Sequence, residues 1–401
     1  MRPRIRLIEI HTAETERVTG KTDQTGVRHR HVFYVPGYDP FPTRRYRELY
    51  RREGSRQAEI SGYSLSIKGR AGQPSWAVSA EIDGQTTSAH VEVLEWSDLV
   101  RASMPGSVFA VYAALFRTAW IYVRTGVLFR LFRLRKGPVL AALYPVLALL
   151  LQAAVAVFVG VLVWRSVGTA FGPFLGLGSV WVMLALFRRF ERILLADYLM
   201  QDYAYASRLG GAYPPELAVR LDAFADRIAA AEADEVLVVG HSSGAYLAVS
   251  VIARLVRSRR LTQQTGLLTL GQVVPMVSLL PKADELRDDL AFMGAQDQVF
   301  WLDVTAPGDG CAFALCHPVG VSGVAGPRTY RPLMISARFS ETLKPETWRA
   351  LRWRFFRLHF QYMHAFDQPG DYDYFQITAG PKLLKERYGN RAPSPSVKAA
   401  L

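Results

Sequence analysis

The sequence predicts an α/β protein: a mostly parallel sheet flanked by helices, interrupted by an inserted helical transmembrane hairpin. Three observations carry this. Short β-branched and leucine-rich runs alternate with helical stretches at both ends of the chain. Val236-Leu237-Val238-Val239 leads straight into Gly240-His241-Ser242-Ser243-Gly244 and then Ala245-Tyr246-Leu247-Ala248, a strand, a sharp turn and a helix. Between the two ends lie two stretches without charge, 137–164 and 166–187, separated by the single Arg165.

Taken in order, 1–30 is an N-terminal extension whose start, Met1-Arg2-Pro3-Arg4-Ile5-Arg6, is basic. It is followed by Glu9, His11 and Glu14 rather than an apolar stretch, so no cleavable signal is expected. The first part of the α/β domain, 31–104, opens on a buried strand, His31-Val32-Phe33-Tyr34-Val35, that ends in Pro36-Gly37-Tyr38-Asp39-Pro40. A helix near 44–52 follows, then strands around Ser64, at 76–82 and at 90–94, the last two joined by an Asp83-Gly84 turn.

The insertion is 105–204. Its run 139–163 is long enough to cross about 30 Å of hydrocarbon, so 138–164 is read as a span. The stretch 167–187 is a second one, loosened by Gly172, Pro173, Gly176 and Gly178, which spans or dips in and returns. Small residues such as Ala153, Ala154 and Ala156 would let the two helices approach closely. Upstream, 108–132 is rich in Phe, Leu and Tyr and contains Trp120, with Arg117 and Arg124 seven apart and so on one face: an interfacial helix or a buried core helix. Arg130, Arg133, Arg135 and Lys136 precede the spans and Arg188, Arg189 and Arg192 follow them, which sets both flanks on the cytoplasmic side. In the second part, 205–385, Leu217, Leu221, Phe224 and Ile228 line one helix face, and strands are expected at 267–270, 299–304 and 333–335. A disordered tail, 386–401, closes the chain.

Composition narrows the partners. The net charge of +13 over 401 residues suggests an anionic surface. Because the arginines cluster around the apolar stretches, that surface is a lipid bilayer and not nucleic acid. Cys311 and Cys316 are the only cysteines, too few for a disulfide scaffold and wrongly spaced for zinc, which points to a reducing compartment.

The turn after 236–239 carries the chemistry. A reversal this abrupt strains its central residue and needs small neighbours two before and two after, so Ser242 would project above the sheet as a nucleophile. The amide of Ser243, in the first turn of the next helix, would face a developing oxyanion. On Gly240-His241-Ser242-Ser243-Gly244 in this setting, the chain resembles the α/β-hydrolase superfamily, specifically its lipase- and esterase-like serine hydrolases, over 31–104 and 205–380. The resemblance implies an α/β-hydrolase fold and a second oxyanion amide at Tyr38, in the loop Val35-Pro36-Gly37-Tyr38, where Pro36 replaces the family's usual His.

Family order places an acid and then a histidine after the nucleophile. Asp309 lies in a loop after the strand 299–304, where substrate sites of open α/β sheets gather, and is preferred to Asp303 within that strand. His359 is preferred to His364, and His317 follows the acid too closely. Tyr362, three residues on from His359, would pack beside the imidazole and hold it. His241 and Gly37 would line the substrate pocket. No metal or cofactor is implied. The expected activity is cleavage of carboxylic, lipid-like esters by an integral membrane protein through Ser242, His359 and Asp309, with an inactive hydrolase-fold adaptor or a thioesterase as the alternatives.

Overall fold

Eight strands form one sheet, and the chain order within it decides where a site can sit. In the computed structural model, which describes residues 26–41, 43–69, 73–104, 106–168, 170–191 and 195–401, the strands are β1 (His29–Val35), β2 (Ser64–Lys68), β3 (Ser75–Ile82), β4 (Gln85–Val93), β5 (Glu235–His241), β6 (Gln264–Leu270), β7 (Phe300–Thr305) and β8 (Leu333–Ser336). Most of the N-terminal extension and Arg192 lie outside the described residues. The sheet order is β2-β3-β4-β1-β5-β6-β7-β8. β1 runs parallel to both β4 and β5, and β5 to β8 are parallel throughout, while β3 is antiparallel to β2 and β4. After β1 the chain builds one side of the sheet, and from β5 onward it builds the other. The reversal falls between β1 and β5, and a crevice opens beyond the carboxyl ends of strands at such a point.

β5 is buried at every position, as its unbroken valine and leucine run requires for a strand covered on both faces. β3 instead alternates buried and exposed, the pattern of a strand with one wet face. Helices α1 (Arg44–Ser61), α2 (Ser97–Ser103), α3 (Val108–Arg124), α4 (Val127–Leu134), α5 (Lys136–Val167), α6 (Gly172–Arg189), α7 (Ala196–Ser207), α8 (Pro215–Ala229) and α9 (Ser243–Arg257) follow in chain order. One core gathers Phe33 and Val35 of β1 with Leu221 and Phe224 of α8 and Val249 and Ile252 of α9. The other gathers Val32 and Tyr34 with Tyr46 and Tyr50 of α1. Alternate residues of one strand thus feed the two sides of the sheet.

The glycines of the turn are there for space. A Cβ on Gly240 would stand 2.5 Å from the Gly244 carbonyl oxygen, and one on Gly244 would stand 2.1 Å from the Val35 oxygen and 2.6 Å from the Pro36 oxygen. Since Val35 pairs with Gly240 across the β1–β5 ladder, the start of α9 rests directly on the end of β1.

The inserted region differs from its sequence reading in several places. The expected helix 108–132 is two helices, α3 and α4, broken at Gly126, whose φ of 71° no β-branched residue would tolerate cheaply. α3 buries Val111, Leu115, Thr118 and Tyr122 and exposes Phe109, Phe116 and Trp120. Among the described residues, one helix, α5, is long and apolar enough to cross a membrane. Its 32 residues extend about 48 Å. α6 begins at Gly172 rather than near 167 and packs along α5. One close contact is glycine on glycine: a Cβ on Gly176 would stand 2.7 Å from the Gly160 oxygen, a backbone approach that only small residues permit.

The tail expected to be disordered is instead held. Lys398 forms a β-bridge with Cys316, its amide donates to Leu315 O at 2.7 Å, and Ser394 Oγ accepts from Ser336 N at 3.0 Å. A polar, proline-containing tail looks disordered by composition, and the backbone of 315–317, the end of β8, the end of α4 and Arg135 give it partners.

Packing at the turn yields a contrast. Gly244→Ala lowers stability by at least about 1–3 kcal/mol, the usual cost of forcing volume into a full site. Gly326→Ala, where nothing lies within 4 Å of the added carbon, changes it by less than about 0.5 kcal/mol. Denaturation of the two variants in detergent measures the difference.

Candidate active site

Ser242 occupies the single residue between β5 and α9, with φ 57° and ψ −123°, a conformation that side chains rarely adopt. Three anchors hold it there. Its amide donates to Leu270 O at the end of β6 (3.0 Å), and its carbonyl accepts from Ala245 N (3.0 Å). On its other side the 36–38 loop leans in so closely that a Cβ on Gly37 would lie 3.1 Å from Ser242 Cβ and 3.5 Å from Ser242 Oγ. Gly37 is therefore a spacer against the serine itself. Ser243 begins α9, where backbone N–H groups have no acceptor within the helix.

Asp309 and His359 meet from opposite directions. Asp309 follows β7 in a turn closed by its own amide to Ala306 O (2.9 Å). His359 ends a short helix, Phe355–His359, and its Nδ1 donates to Asp309 Oδ2 at 2.8 Å. The carboxylate also accepts from Cys311 N at 2.9 Å and from Tyr362 Oη at 3.0 Å. Burial would raise the Asp309 carboxyl, but the facing imidazole and these donors hold it below its ordinary range, so it stays ionised. Tyr362 was expected beside the imidazole; it holds the carboxylate instead and accepts from Ala306 N at 3.0 Å.

The other candidates separate by position. His364 donates from Nδ1 to Phe360 O at 2.7 Å and lies near Glu53 of α1, and it does not line the cavity that holds Ser242. His317 caps the short helix after it by accepting from Gly320 N. Asp303 is buried within β7 against Thr269 Oγ1 (2.7 Å), and burial pushes its carboxyl up to about 7. His241 donates from Nε2 to His359 O at 3.0 Å, and the two rings lie 4.8 Å apart. Burial, then His359, press its pKa down to about 3, so it is a neutral brace under His359.

Ser242, His359, Gly37, Tyr38, His241 and Ser243 all line one cavity of about 90 Å³. No hydrogen bond joins Ser242 to His359, whose Nε2 is buried without a partner. Much of the cavity wall comes from the insertion: Tyr122 of α3, Pro138, Ala141 and Ala142 at the foot of α5, and Tyr198, Asp202 and Tyr203 of α7. Tyr198 Oη donates to Tyr38 O, tying the 36–38 loop to this wall, and Tyr38 Oη meets Ser103 Oγ of α2 at 2.7 Å. Asp202 has no signal in the sequence. It stands in an ordinary helix 40 residues before the serine and reaches Ser243 Oγ at 3.2 Å only through the fold.

Two groups of side chains have the composition of metal ligands. Asp309, Cys311 and His359 are close enough to share an ion, but His359 and Asp309 already bond to each other, and burial keeps the Cys311 thiol protonated. His31, His90 and Glu92 lie toward the amino end of β1, with Glu92 taken by Arg227 at 2.8 and 3.0 Å.

The strain at Ser242 is measurable without any substrate. A residue held in such backbone geometry costs on the order of 1–3 kcal/mol, and glycine removes most of that at a smaller cost in chain entropy. Ser242→Gly should raise stability by roughly 1 kcal/mol, read as a higher thermal midpoint. Compared with protein-family models, with curated proteins and with solved structures, the chain matches none. What stands is an α/β fold with a mostly parallel eight-stranded sheet, compatible with an α/β-hydrolase.

Proposed function

We propose that this chain is a membrane-anchored serine hydrolase that cleaves carboxylic, lipid-like esters on the cytoplasmic face. One observation carries the reading: a strained serine at a strand-to-helix turn shares a cavity with a buried histidine whose far nitrogen is bonded to an ionised aspartate.

In the proposed reaction Ser242 Oγ attacks the carbonyl carbon while His359 Nε2 takes its proton, and the Asp309 carboxylate steadies the resulting imidazolium. The oxyanion is met by the amides of Ser243 and Tyr38. Collapse of the tetrahedral species returns the proton from His359 to the leaving alkoxide and leaves an acyl group on Ser242. Water, activated by the same imidazole, then releases the acid. Catalytic hydrogen bonds are often long before substrate binds, so a small closing movement of His359 toward Ser242 belongs to this scheme. Lipid-like substrates fit because the helix that carries the apolar span, α5, also forms part of the cavity wall.

Labelling with a fluorophosphonate tests the chemistry: the native protein is labelled, and Ser242→Ala is not and loses on the order of 10⁶ in turnover. Undiminished labelling of the alanine variant would sink the reading, and a native chain that never labels favours a catalytically silent adaptor. For the anchor, reporter fusions after residue 104 and at the C-terminus should both score as cytoplasmic if α5 and α6 cross as a hairpin. Opposite sides mean that α5 crosses alone.

A further inference from the structure

Two carboxyls line the cavity, Asp39 and Asp202, and the proposed reaction gives neither a task; the surroundings of Asp202 are unusual for this chain. The whole protein carries 48 lysines and arginines against 35 acidic residues. Yet none of the residues that line the cavity is a lysine or an arginine, while Asp39 and Asp202 both do so. Asp39 has partners: it accepts from Phe41 N at 2.9 Å and from Tyr46 Oη, with Arg45 nearby. Among the described residues Asp202 has one hydrogen-bond partner, Ser243 Oγ, 3.2 Å from each of its oxygens, and the His359 imidazole is the basic side chain that acts on it. The walls around it are aromatic, among them Tyr122, Tyr203, Tyr246 and Phe313.

A carboxylate in an apolar enclosure without a fixed counter-ion is costly, and the cost disappears when a ligand brings the cation. Burial lifts the Asp202 carboxyl to about 7, the ordinary sign of an acid that lacks such a partner. Aromatic faces attract the same kind of ion, most strongly when it is an alkylated ammonium that sheds its water readily. We propose that Asp202 and the tyrosines around it form a subsite for an alkylammonium group, so that the preferred esters carry a positive charge a few bonds from the scissile carbonyl. The distance follows from position: Asp202 touches the side chain of the residue next to Ser242. This assignment rests on the hydrolase reading for its consequence, but the binding of the cation does not.

Two measurements separate the proposals. The first uses tetramethylammonium as the probe, titrated calorimetrically into the full chain in detergent with Ser242→Ala in place, so that no turnover intervenes. Saturable binding that weakens about tenfold on adding Asp202→Asn is the expected result, and equal binding to both variants, or none to either, overturns the subsite. The second compares hydrolysis of a short-chain choline ester with that of the uncharged 3,3-dimethylbutyl ester of the same acid. The native protein should favour the charged ester by about tenfold in kcat/KM, and Asp202→Asn should bring the ratio close to one. A native ratio near one overturns the subsite. Because an ammonium can arrive on a soluble ester or on a lipid headgroup, the comparison is repeated with the ammonium ester carried on a long acyl chain in neutral vesicles. A gain over the soluble ester assigns the lipid source, and its absence assigns the soluble one. Tetramethylammonium binding without any phosphonate labelling rejects the hydrolase reading and keeps the cation site.

Discussion

The structure depends on a steric constraint at one turn: the chain must reverse from β5 into α9 within a single residue while lying on the end of β1. Gly240 and Gly244 meet this constraint by having no Cβ where Gly244 O and Val35 O already stand. The parallel pairing of β1 with β5, Val35 opposite Gly240, then brings the 36–38 loop against Ser242 without any specific side-chain bond between them. The site is thus a by-product of how closely two central strands and one helix pack, and close packing is what makes its geometry rigid.

The inserted helices do more than extend the protein. α3, the foot of α5 and α7 close over the crevice at the carboxyl ends of β1 and β5, and Tyr198 fixes the 36–38 loop from that side. The same α5 continues as a long apolar helix with Leu140, Leu147, Leu151 and Phe158 exposed. A change in how that helix sits would therefore move the cavity wall directly, because Pro138, Ala141 and Ala142 belong to both.

In and behind the cavity, charge is arranged by burial as much as by pairing. Asp309 is kept ionised by His359, Cys311 N and Tyr362, whereas at Asp202 and Asp303 burial outweighs the other influences and raises the carboxyl. His241 is held neutral beneath His359, so the two imidazoles can lie close without opposing charges. Three aspartates thus fall into two classes, one carboxyl lowered and two raised, decided by which groups face them.

Much of this was legible in the sequence, and the limit has a physical cause. The strands from 31–35 to 333–335 were marked mostly by short apolar runs, the long apolar helix α5 by 25 uncharged residues, and the serine by two glycines whose spacing only a tight reversal explains, all of them local signals. Asp309 and His359 were chosen by their order along the chain, and the fold brings the two side chains to 2.8 Å. What the sequence left undecided involves contacts between distant segments. Tyr362 serves the acid and not the imidazole, the tail pairs with 315–317, Gly126 breaks the expected single helix, and Asp202 arrives beside Ser243 from 41 residues away. Local patterns fix which element forms, because hydrogen bonding and burial along one strand or helix are set within a few residues. Which side chains meet is decided by sheet order and by how the insertion folds back, and no short window of sequence contains that information.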